Sequence, residues 1–207
     1  MSRREQIIVG LLAGFLCPFL VFVLFWWTAA ALVLYKILHI SDRVIFVAAL
    51  AGLALGIILD GIFLKHWIAR FYHAKYRLLV PVYLFCSLIA VASFMGLPLG
   101  NLVLGTLAGV YVGRRMHHAQ REPKAMALSA RRAGIFAAAV TGLEALPISI
   151  LALKEGWVMR LLQAGLGMNQ NGINGIAGIG AAVFLCMALT GFQFLCTRTS
   201  ARFAFSR

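Results

Sequence analysis

Glu144 is the only charged residue in the run TGLEALPISI, residues 141–150. A lone carboxyl in apolar surroundings can hold a proton or a small cation. Gly134, Ala137, Thr141 and Glu144 follow a 3-4-3 spacing, which keeps them on one helical face. That face is small or polar, so it is expected to point into a bundle. Pro147 lacks a backbone N–H and would free the Leu143 carbonyl one turn earlier. Placing a charge at the centre of a bilayer costs at least ~2.5–3.5 kcal/mol. Three arrangements avoid that cost: a protonated Glu144, a bound cation or a water-filled cavity. A neutral acid bonded to Thr141 or to a backbone carbonyl is the purely structural alternative.

Asp60 is the second acid inside an apolar stretch. It continues the stripe Ala48, Gly52, Gly56 in steps of four, which predicts packing against protein rather than lipid. An interfacial ion pair with Lys65, Arg114 or Arg132 is the alternative to a functional role. Gly105, Gly109 and Gly113 make a similar stripe, a groove that lets another helix backbone approach closely. The segment 157–180 is rich in Asn and Gly. Asn169, Asn171 and Asn174 could offer amide groups to a polar solute entering from the outer side, or simply lie in a connector.

These residues need apolar elements to position them, and composition supplies those elements. Hydrophobic residues make up 62% of the 207, charged residues 12%, and the mean hydropathy is +0.93. The pattern predicts one all-α domain over 1–207, a bundle of six transmembrane helices. The spans fall at about 7–34, 44–64, 78–95, 98–113, 133–153 and 176–196; the first is long and the fourth short against the roughly 20 residues a bilayer requires. The first run is longer than a signal-peptide core, so it is expected to remain as a span. Segment 65–77, KHWIARFYHAKYR, reads as a short amphipathic helix in the membrane interface. Fifteen of the 19 Lys and Arg fall at the two ends of the chain and in segments 65–77 and 114–132. The positive-inside rule then places both termini in the cytoplasm, in a plasma membrane of the bacterial inner-membrane kind.

The formal charge of +13 fits anionic lipid headgroups better than nucleic acid, because the bases are dispersed among short loops. Cys17, Cys86, Cys186 and Cys196 lie in or at the ends of apolar runs and form no CxxC pair. His66, His73, His117 and His118 sit in basic segments, so neither metal nor haem is expected, and no cofactor is implied. No sequence motif of a hydrolase, metalloprotease, P-loop or dinucleotide-binding enzyme is present, and no catalytic residue is assigned. In size, span count and basic loops the chain resembles the small solute-binding membrane subunits of energy-coupling-factor transporters, a likeness of architecture alone. Transport or solute binding centred on Glu144, with a small-molecule solute as ligand, ranks first. A scaffold subunit bound to a membrane protein partner is the alternative. A lipid-modifying enzyme using Asp60 and the histidines ranks third.

Overall fold

The structure is a computed structural model, and it describes residues 1, 3–37, 41–94, 98–154, 156 and 175–206. The described residues form six α-helices and no strand: α1 (Arg3–Leu34), α2 (Asp42–Arg70), α3 (Tyr76–Ser93), α4 (Gly100–His118), α5 (Pro123–Lys154) and α6 (Gly175–Ser206). A short 3-10 turn, Phe71–His73, follows α2. Five of the helices are long and apolar enough to cross a membrane. The exception is α4. The helices suit a multi-pass, membrane-embedded protein, and their exposed Leu, Ile and Phe side chains would face acyl chains.

The helices outrun the apolar runs that announced them. α2 continues to Arg70, so half of segment 65–77 extends a span rather than forming a separate interfacial helix. α5 begins at Pro123, about ten residues before its apolar stretch. Proline suits a first helical turn because its missing N–H would be unsatisfied there anyway. The basic residues that follow are good helix formers.

The chain divides into two compact units, Met1–Ala74 and Lys75–Arg207. The first is an antiparallel hairpin of α1 and α2. Gly52 and Gly56 allow its close approach. A Cβ on Gly56 would stand 2.4 Å from Pro18 Cα, and one on Gly52 would stand 2.8 Å from the Val21 carbonyl oxygen. Asp60 lies one turn beyond Gly56, 8% exposed, with its Oδ2 opposite Gly14 of α1.

The second unit packs α3, α4, α5 and α6 side by side. Residue pairings fix their directions. Gly105, Gly109 and Gly113 of α4 meet Gln193, Thr197 to Ser200, and Ala201 to Ala204 of α6 in ascending order, so these two helices run parallel. Gly134 meets Phe194 and Gly142 meets Thr190, so α5 is antiparallel to α6. The Tyr83 ring meets that of Phe136 at a tilt and Ser87 bonds Glu144, so α3 runs with α5. The α4–α6 seam is close enough for backbone contact. A Cβ on Gly109 would lie 2.3 Å from the Thr197 carbonyl oxygen, and one on Gly113 would lie 2.2 Å from that of Ala201.

Candidate functional site

Glu144 lies two-thirds of the way along α5, farther toward its C-terminal end than the apolar run alone implied. It stands level with the first turn of α4 and the second half of α3. Two facing helices supply its hydrogen bonds. Ser87 of α3 donates its hydroxyl to both carboxyl oxygens, at 2.8 and 2.9 Å. Asn101 of α4 donates Nδ2 to Glu144 Oε2. The N-terminal end of α4 is the positive end of its dipole, which favours an acidic group beside it.

A second layer supports the first. Gln193 of α6 donates Nε2 to the Asn101 backbone oxygen at 2.7 Å and approaches the Tyr83 hydroxyl at 3.5 Å. Its amide lies directly on Gly105, where a Cβ would stand 2.0 Å from Nε2. The glycine therefore makes room for the glutamine as well as for the helix. Ser87, Asn101, Thr141 and Gln193 are fully buried, and Glu144 is half-buried.

The Thr141–Glu144 bond offered as the purely structural alternative is absent. Thr141 Oγ has no hydrogen-bond partner, and neither do Asn101 Oδ1 and Gln193 Oε1. Residues three apart on a helix lie about 60° apart in projection and about 4.5 Å apart along the axis. Thr141 and Glu144 share a broad face, but the facing helices reach the carboxyl first. Among the described residues, the groups that bond Glu144 include no Lys, Arg or His.

Sequence reasoning missed Ser87, Asn101 and Gln193. Each is an isolated polar residue in an apolar helix, a usable signal. What each one meets depends on contacts with residues 43 to 92 positions away.

Asp60 lies in the first compact unit. Its carboxyl lies beside the Cys17 thiol, which itself reaches the Gly56 carbonyl oxygen at 3.9 Å. Asp60 Oδ1 has no hydrogen-bond partner. His66 and His73 are exposed and Asp60 is buried. His117 Nδ1 lies 2.9 Å from the Phe205 carbonyl oxygen, and its ring meets His118 edge-on. No group of three or more His, Cys, Asp or Glu among the described residues could hold a metal ion. Asn169, Asn171 and Asn174 lie outside the described residues.

The fold and this site define a helical membrane-type protein with a buried, acceptor-rich polar cluster. Comparison with protein-family models, with curated proteins and with solved structures finds no match.

Proposed function

We propose that the chain is a small membrane transporter, or a solute-binding transport subunit, in which Glu144 is the proton or cation site. The observation that carries this reading is the convergence of three helices on one carboxyl. α3, α4 and α5 each contribute a side chain to a bond network that contains no fixed positive charge. A carboxyl held this way can gain and lose a cation while its neutral partners stay in place. The half-buried position of Glu144 gives that cation a way in. A scaffold needs no such group.

Carbodiimide labelling tests the reading. The reagent modifies a protonated carboxyl in an apolar setting, and mass spectrometry locates the adduct. Glu144 is expected to react in mildly acidic buffer and to react less as the pH rises. A carboxyl that never reacts, or reacts equally across that range, would sink the reading and favour the scaffold.

In this reading α4 crosses the membrane as a sixth span. Its 19 residues cover about 28 Å. It runs beside α5 and α6 over most of that length, and its polar or small face is buried against them. Its low apolarity is therefore compatible with a crossing. Six crossings put both termini on one side, and the basic residues make that side the cytoplasm of a plasma membrane. Reporter fusions after Arg121 and Arg207 are expected to give cytoplasmic signals. One cytoplasmic and one external signal would mean an odd number of crossings between the two fusion points.

A further inference from the structure

We propose that the Glu144 site takes a dehydrated monovalent cation of sodium size, with Asn101 and Thr141 supplying further oxygen ligands and Gln193 positioning Asn101. The proposal rests on the reading of Glu144 as a proton or cation site and goes on to name the ion.

Three observations carry it. First, the cluster is rich in acceptors. Asn101 Oδ1, Thr141 Oγ and Gln193 Oε1 are all buried without partners. A buried, unsatisfied polar atom costs roughly 1–3 kcal/mol. Asn101 Oδ1 beside the carboxyl and Thr141 Oγ on the same helical face call for an electropositive partner. Second, position follows from covalent geometry. Asn101 Nδ2 bonds Glu144 Oε2, so the oxygen of the same amide must lie within a few ångströms of the carboxyl. Thr141 precedes Glu144 by three residues on one face of α5, and its hydroxyl is fully buried.

Third, the donor set selects the ion. Carboxylate, amide and hydroxyl oxygens are hard ligands, suited to alkali and alkaline-earth ions rather than to zinc or copper. One carboxylate balances one positive charge. A divalent ion would leave net charge in an apolar bundle. A bare proton could sit on Glu144 but would engage at most one of the three unpartnered oxygens. A small monovalent cation can engage several at once. Gln193 holds the arrangement through the Asn101 backbone oxygen, leaving the Asn101 side chain free to serve both the carboxyl and the ion.

The test uses the purified full chain in detergent. Its unfolding midpoint is measured in choline chloride, sodium chloride, lithium chloride and potassium chloride at equal ionic strength. An ion that binds only the folded state raises the midpoint by mass action. Sodium is expected to raise it saturably above choline, and potassium to raise it less. Glu144→Gln is expected to abolish the sodium effect. Thr141→Val removes a buried hydroxyl that has no partner. It should leave the midpoint in choline unchanged or raise it, yet weaken the apparent sodium affinity by about tenfold. A wild-type midpoint indifferent to all four cations overturns the proposal. If carbodiimide labelling of Glu144 still varies with pH in that case, the proton reading survives. If it does not, both fail. A sodium effect undiminished in Thr141→Val overturns the ligand set proposed here.

Discussion

Gly109→Ala is expected to destabilise the second compact unit by about 1–3 kcal/mol or more, as overpacking of a rigid contact does. The added methyl would stand 2.1 Å from Ser200 Oγ and 2.3 Å from the Thr197 carbonyl oxygen. The serine hydroxyl can rotate away. The carbonyl is backbone, and α6 can yield only by moving as a helix. That movement would loosen the neighbouring contacts at Gly105 and Gly113 as well. Gly191→Ala is the matched control, since nothing lies within 4 Å of a Cβ there. Alanine in a helix interior normally gains roughly 0.5–1 kcal/mol over glycine, so the control should be neutral or slightly stabilised. Thermal unfolding in detergent reads both. Equal stability of the two variants would mean that α4 and α6 do not touch at Gly109.

Glu144→Lys is expected to prevent accumulation of folded protein, whereas Glu144→Gln is expected to leave the fold largely intact. The lysine would face two donors, the Ser87 hydroxyl and Asn101 Nδ2, in place of the acceptor they now share. An unpaired base in an apolar helix costs at least ~2.5–3.5 kcal/mol, and each abandoned donor adds about 1–3 kcal/mol. Those terms are large against a typical total stability of about 5–15 kcal/mol. Glutamine keeps one acceptor for Ser87 or Asn101, and its amide N–H can donate to Asn101 Oδ1, which now lacks a partner. Size-exclusion profiles of fluorescent fusions would separate the two. A monodisperse Glu144→Lys protein with the wild-type midpoint would show that the site is open to water.

The long apolar helices could be read from composition and run length, and the four-residue glycine spacing could be read as a groove. The partner across the groove could not. Nothing in the α4 sequence says that Gly105 receives the Gln193 amide or that Gly109 meets Thr197. Helix ends were misjudged for a related reason. Hydropathy reports which residues tolerate lipid, while helices continue through polar residues that form them well, as α2 does to Arg70 and α5 does from Pro123. Glu144 stood out because a charge in an apolar run is conspicuous on its own. Ser87 and Asn101, neutral and single, become meaningful only once the chain has folded them onto the carboxyl. A Thr141–Glu144 bond was one form of the purely structural alternative, and donors from two other helices take its place.

The parallel pairing of α4 with α6 bears on how the protein is made. In the six-span reading proposed above, α4 is too polar along its glycine face to enter lipid readily by itself, and the surface that covers this face belongs to α6. Gln193 follows Gly105 by 88 residues, and Ala201 follows Gly113 by 88. At a synthesis rate of about 5–20 residues per second, α4 waits roughly 4–18 seconds for its cover. During that interval it must remain in the insertion machinery or lean on α3 and α5. A ribosome halted before α6 should leave α4 exposed to quality-control proteases, even though every residue of α4 has already been synthesised.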